Sequence, residues 1–172
     1  MKKNLSNKQI EKYSRQIVLK NVGTIGQKKI LNSNVLVVGA GGLGCPVIDY
    51  LSRAGVGRLG IIDYDKIDPS NIHRQSIYTF KDVGKYKVNV LKRKIMDINP
   101  DVKTKIFKSK ITNKNVDKIL KQFNIIIDGS DNFKTKFLLN KFARKLKKTL
   151  IVGAISKYDG HVFSFDFKRN NE

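Results

Sequence analysis

The sequence has one cysteine, few acidic residues and no apolar run approaching the roughly 20 residues of a membrane span. A lone thiol, Cys45, allows neither an internal disulfide nor a cysteine-built metal site, and it suits a reducing compartment. Its place at the start of a helix-like stretch reads as a small packed residue. The first residues, MKKNLSNKQIEKYSRQ, lack the apolar middle of a secretory signal. These absences predict a soluble, cytoplasmic protein with no membrane partner. Acids are scarce: 14 Asp and Glu face 35 Lys and Arg, a formal net charge of +21. Such a balance raises nucleic acid or an acidic surface as a partner. The lysines are spread along almost the whole chain, however, with no basic stripe interleaved with stacking aromatics, so no nucleic-acid site is expected. Part of the charge suits attraction of an acidic protein partner.

The 172 residues suffice for one domain that buries roughly two-thirds of its unfolded surface. No repeat, linker or low-complexity segment divides the chain. Short β-rich runs stand at NVLVVG (34–39), RLGIID (58–63), VKTKIF (102–107), NIIIDG (124–129), TLIVGA (149–154) and HVFSFDF (161–167). Between the first five lie segments of helical spacing at 42–54, 84–98, 115–122 and 132–146, and the leading NKQIEKYSRQIVL reads as one amphipathic helix. Strands alternating with helices predict an α/β, Rossmann-like fold with a mostly parallel sheet covered on both faces. HVFSFDF alternates strictly and follows the turn-like YDG, so it is expected as an antiparallel edge strand near the C-terminus.

In GAGGLG, residues 39–44, the outer glycines keep the spacing G-x-G-x-x-G directly after a strand and before a helix. Gly39 suits a tight turn, Gly41 and Gly42 a close approach of backbone N–H groups to phosphate, and Gly44 close packing of helix on strand. Pro46 falls in the first helical turn, where its missing N–H costs little. Asp63 stands nineteen residues past Gly44, at the end of the next strand, where an acid accepts from ribose hydroxyls. This pattern fits a redox dinucleotide or ATP. Hydride transfer needs a further region to hold a substrate against the nicotinamide. The segments DYDKIDPSNIHRQ (63–75), VGKYKV (83–88) and DGSDN (128–132) supply cations and carboxylates instead, which is the equipment of phosphoryl or nucleotidyl transfer.

With YSRQIVL (13–19), GAGGLGCPV (39–47), GIIDYDKIDPSNIHRQ (60–75), VGKYKV, INP (98–100), DGSDNFKTKFLLN (128–140) and IVGAISKYDGHV (151–162) in that order, the chain resembles the ThiF/MoeB/HesA family, adenylyltransferases related to ubiquitin-activating enzymes. The resemblance implies a homodimer that uses ATP and Mg²⁺ to join AMP to the C-terminal glycine of a small ubiquitin-like, β-grasp sulfur carrier ending in Gly-Gly, with release of pyrophosphate. The carriers concerned serve thiamin or molybdopterin synthesis. It also implies catalytic roles for Arg15, Arg74, Lys87 and Asp131. Arg74 and Lys87 would meet the phosphates within one subunit, Arg15 would reach across the dimer, and Asp131 would hold Mg²⁺. Asp63 would hold the ribose, and Asn71 would stand near the phosphates. Asp131 also fits as the N-cap of the helix after it, Asp128 as a hydrogen-bonding residue at its strand end, and Asp65 as a supporting or turn residue. His73 falls within the phosphate-facing motif, and His161 reads as a strand residue.

Relatives continue past the YDG strand into paired Cys-x-x-Cys segments that bind structural zinc, and some carry a cysteine for a transfer step. This chain stops at FDFKRNNE (165–172), so it is expected as a single adenylation domain, 1–172, truncated at its C-terminus and without a zinc site. The alternative is a truncated or non-catalytic ATP-binding subunit for a ubiquitin-like partner, and a small NAD-dependent oxidoreductase is the remaining reading. Competition binding separates that last reading: ATP is expected to displace a fluorescent nucleotide where NAD does not, whereas preference for NAD assigns the turn to hydride transfer.

Overall fold

The computed structural model describes residues 5–168. Helices α1 (Asn7–Lys12), α2 (Ser14–Ile17) and α3 (Gly23–Leu31) precede strand β1 (Asn34–Val38). There follow α4 (Gly44–Ala54), β2 (Arg58–Ile62), α5 (Lys87–Ile98), β3 (Lys103–Phe107), α6 (Val116–Leu120), β4 (Ile125–Asp128) and α7 (Phe133–Lys145). A hairpin of β5 (Thr149–Ser156) and β6 (Asp159–Asp166) closes the described chain. The six strands form one sheet in the order β3-β2-β1-β4-β5-β6, parallel except for β6, which runs antiparallel to β5. The expected fold class and the antiparallel edge strand are both found. Among the described residues, no helix is long and apolar enough to cross a membrane.

The near-continuous apolar run of β1 is explained by burial on both sides. Val35 and Val37 face a cluster with Ile48 of α4 and Leu91 and Ile95 of α5, while Leu36 and Val38 face one with Leu120 of α6, Ile126 of β4 and Leu139 of α7. Alternation along a strand directs successive side chains to opposite faces. Connections from β1 through β2 to β3 therefore build the sheet one way from β1, and β4 to β6 build it the other. The carboxyl ends of β1 and β4 meet at the reversal, where such folds leave a crevice.

The leading segment departs from expectation. One amphipathic helix is interrupted at Tyr13 (φ −105°, ψ 16°) and becomes two short ones. Tertiary packing overrides helical spacing here: the Tyr13 ring is buried against Gly55, and its Oη accepts a hydrogen bond from Asn99 Nδ2 at 2.9 Å. The helices after the first two strands also begin later than the spacing suggests, because Gly41–Leu43 and Gly84–Tyr86 are spent in loops. Gly84 takes a left-handed φ of +81°.

On the α6 face, Phe123 fills the space above Gly60, where an added Cβ would fall 2.3 Å from its ring. It meets Phe107 edge to face at 6.3 Å, with the Arg58 guanidinium 5.4 Å from its centroid. Phe123→Ala is expected to destabilise the fold by about 3–5 kcal/mol, read as a lower urea midpoint with an unchanged slope. A loss below about 1 kcal/mol would mean that this face repacks over the cavity.

Candidate functional site

Three backbone segments converge at the reversal. Gly39, just past β1, adopts φ +91°, and a Cβ there would lie 2.9 Å from the carbonyl oxygen of Gly129. Gly44 opens α4 so close to β1 that its Cβ would fall 1.9 Å from the Gly39 carbonyl oxygen. By contrast, a Cβ on Gly42 would meet nothing within 4 Å, and one on Gly41 only the Gln75 amide nitrogen at 3.9 Å. The outer glycines are thus filled by protein and the middle pair borders open space, as a turn holding phosphate requires. No side chain caps α4; the Cys45 N–H donates to Gly41 O at 2.9 Å and Pro46 has no N–H to satisfy.

The turn is held from the β2 side. Asp63 Oδ2 accepts from Ala40 N at 2.7 Å and Oδ1 from Asp65 N at 2.7 Å. The acid expected for a ribose therefore also fixes the glycine turn. The Ala40 carbonyl accepts from Tyr78 Oη at 3.0 Å and from Cys45 Sγ at 3.4 Å, so both peptide groups of Ala40 are engaged. Asp65 pairs with Lys87, whose Nζ lies 3.3 Å from Asp65 Oδ2 and whose backbone N donates to Asp65 O at 3.0 Å. Lys87 is only 5% exposed, so a single carboxylate holds a nearly buried ammonium. Asn71 is buried at the end of a short 3₁₀ turn, with Oδ1 accepting from Asp68 N. Arg74 is exposed and donates to Ser70 O at 2.6 Å. Gln75 is buried beside Gly41, and its Oε1 lacks a hydrogen-bond partner among the described residues. An orphaned acceptor at the edge of the turn suits a site that hydrogen-bonds a ligand.

On the other side, Asp128 ends β4 fully buried. Its Oδ1 accepts from Ser130 N at 2.9 Å and Ser130 Oγ at 2.6 Å, and its Oδ2 from Lys136 Nζ at 3.2 Å. Asp131 follows on the exposed turn. It does not cap the next helix: Asn132 is the N-cap of α7 and accepts from Thr135 N at 2.9 Å. Among the described residues the Asp131 carboxylate hydrogen-bonds only the Asn132 amide, at 3.3 Å. Among the described residues no group of three or more His, Cys, Asp or Glu could hold a metal ion. A lone exposed carboxylate suits Mg²⁺ only as a partial ligand, since that ion keeps waters and is carried largely by a nucleotide's phosphates.

Arg15 does not join this constellation within one chain. Tyr13, two residues before it, packs on Gly55 at the far end of α4, and 11 residues of helix place that end about 16 Å from the glycine turn. His73 is exposed, and His161 stacks on Phe163 at 6.0 Å. Tyr78 lies outside every motif quoted from the sequence, Lys136 lies within DGSDNFKTKFLLN with no role assigned to it, and the partner of Lys87 becomes visible only in the fold. The fold also seats Lys110 over Tyr64 and Lys108 over Tyr86, with nitrogens 4.3 and 4.1 Å from the ring centroids, on the rim beside Asp63.

Cys45 is fully buried at the start of α4, and burial pushes its thiol up to about 12. The thiolate is the reactive form. In the folded protein at pH 8, Cys45 is therefore expected to stay silent to a disulfide reagent such as DTNB and to react as denaturant unfolds the chain. Rapid native labelling would contradict this packing.

The ThiF family model matches residues 13–172. The chain is 41% identical over 160 residues to a sulfur carrier protein adenylyltransferase of Thermus thermophilus, covering 93% of this chain and 59% of that protein. A crystal structure of PaaA superposes with a TM-score of 0.86 at 25% identity, covering 98% of this chain and 55% of that one. A crystal structure of E. coli MccB with ATP gives a TM-score of 0.70 at 27% identity, covering 74% of this chain and 38% of the other. The chain thus spans about half the length of these proteins. With its glycine turn, the acids past β2 and β4 and the buried Lys87 in the places described, the chain belongs to the ThiF family.

Proposed function

We propose that this chain is an adenylation domain that binds ATP in the crevice between β1 and β4 and transfers AMP to the C-terminal glycine carboxylate of a small ubiquitin-like sulfur carrier. The observation that carries this reading is the arrangement of Gly41 and Gly42 beside open space, with Lys87 and Asp65 on one flank and the Asp131 turn on the other. The name of the Thermus relative supports the carrier as substrate, and the ATP in the MccB structure supports the nucleotide.

In this mechanism a carboxylate oxygen of the carrier attacks the α-phosphorus of ATP. The bond from that phosphorus to the oxygen bridging the α- and β-phosphates breaks, and pyrophosphate departs. The acyl adenylate keeps the attacking oxygen. Negative charge gathers around the phosphates, so fixed cations provide much of the catalysis. Lys87, pre-oriented by Asp65, donates from one side. Arg74, exposed beside the turn, offers a planar fork suited to phosphate oxygens. Asp131 would hold Mg²⁺, which when bound neutralises phosphate charge and orients the leaving pyrophosphate. Asp63 keeps free lone pairs for the ribose while fixing Ala40.

Arg15 serves the site only if it arrives from a second copy, so the active form is a homodimer. The carrier is a β-grasp protein ending in Gly-Gly, and a reducing cytoplasm suits the buried Cys45. Carrier-dependent, Mg²⁺-dependent exchange between ATP and pyrophosphate is the expected activity, lost in Asp131→Ala. Arg15→Ala should be equally inactive alone. Mixing the two inactive variants should restore exchange, because each mixed dimer holds one intact composite site. No recovery on mixing would place Arg15 outside the partner's site, and no exchange by the unaltered chain would leave it a nucleotide-binding subunit.

A further inference from the structure

We propose that Lys136 is a positioning residue that clamps the Asp131 turn against the glycine turn. The inference rests on the reading of Asp131 given above.

Lys136 lies in the first turn of α7, three and seven residues before Leu139 and Ala143, both fully buried against the sheet. That spacing places it on the core-facing stripe, where an apolar residue is the ordinary choice. Its side chain is 17% exposed, and two of its three N–H donors are taken: Asp128 Oδ2 at 3.2 Å and the Gly153 carbonyl at 2.8 Å. One ammonium therefore ties α7 to the end of β4 and to the middle of β5. A buried ion pair is a poor device for stability, since a well-packed apolar pair of similar size often does as well or better. A lysine at such a position is better explained by what it holds in place.

What it holds is the turn from Asp128 to Asn132. Lys136 fixes the Asp128 carboxylate, and the same carboxylate grips both the backbone N and the hydroxyl of Ser130, the residue before Asp131. At the other end Asn132 is fixed as the N-cap of α7. Asp131 is thus suspended between two anchored neighbours. The same turn bears on the nucleotide side, because the Gly129 carbonyl lies where a side chain on Gly39 would be. Without the ammonium, Asp128 becomes a buried carboxylate with no cation, and it must take a proton or draw in water. Either change loosens its hold on Ser130 and lets Asp131 wander from the phosphates.

The test compares Lys136→Met, Lys136→Arg and Asp131→Asn, measuring ATP affinity by calorimetry across a Mg²⁺ titration alongside carrier-dependent exchange. Lys136→Met is expected to need about 10- to 100-fold more Mg²⁺ for half-maximal ATP binding and to slow exchange by a similar factor, as partners that orient metal ligands do. Affinity without Mg²⁺ should hold, and Lys136→Arg should recover most of the loss. Should Lys136→Met fail to fold, the double variant Lys136→Met with Asp128→Asn leaves no unpaired buried charge. It is still expected to show the shifted Mg²⁺ dependence, because the clamp is gone. A normal Mg²⁺ dependence in the folded single or double variant, with Asp131→Asn impaired, overturns the role of Lys136. A normal Mg²⁺ dependence in Asp131→Asn itself overturns the reading of Asp131, and the proposal with it.

Discussion

The contact between the backbones of Gly39, Gly44 and Gly129 sets the geometry of the whole site. A methyl group on Gly44 would sit 1.9 Å from a carbonyl oxygen, well inside van der Waals contact, so only glycine lets α4 start this near to β1. That approach brings the start of α4 to the end of β1 and leaves Gly41 and Gly42 facing open space. Since β1 is locked in register between β2 and β4, its end cannot shift without dragging both neighbours. Ala40 is pinned further, through its N–H by Asp63 and through its carbonyl by Tyr78. A turn held at so many points spends little ordering entropy when a phosphate arrives, which is what preorganisation contributes to binding and catalysis.

Each flank of this turn repeats one device. An acid stands at or just past a strand's carboxyl end, and a lysine from the first turn of the following helix pairs with it: Asp65 with Lys87 after β2, Asp128 with Lys136 after β4. The two pairs differ in exposure. Asp65 is half open to solvent above a nearly buried Lys87, whereas Asp128 is sealed beneath a slightly more open Lys136. Both are built from strand ends and helix starts, the most rigid points from which a side chain reaches this crevice.

Much of this was legible in the order of residues. The apolar runs of β1 and β4 announce strands buried on both faces, and the glycine spacing places the turn between β1 and α4 without any structure. Strict alternation in HVFSFDF marks an antiparallel edge. What sequence spacing could not convey were features set by distant contacts. Tyr13 keeps helical spacing yet breaks its helix, because Gly55 and Asn99 draw its ring inward from more than 40 residues away. Asp131 and Asn132 are adjacent and equally good caps by residue type, and only the observed hydrogen bond to Thr135 decides between them. Lys136 is one lysine in a chain full of them, and its significance lies in the side of α7 that it occupies.

The charge distribution bears on how so basic a chain would discriminate among anions under the proposed function. Diffuse positive potential attracts every polyanion and discriminates among none, as the sequence-independent, salt-sensitive part of nucleic-acid binding illustrates. Of only 14 acidic residues, Asp63, Asp65, Asp128 and Asp131 all stand at the carboxyl ends of β2 and β4, around the crevice. They lower the local excess of positive charge and give direction to the cations that remain, since an ammonium held by a carboxylate points one way. A ligand must then satisfy Lys87 in its fixed orientation, the open glycines and the Asp131 turn together. In the proposed function selectivity would come from positioned cations, with the surplus lysines elsewhere contributing only diffuse, screened attraction.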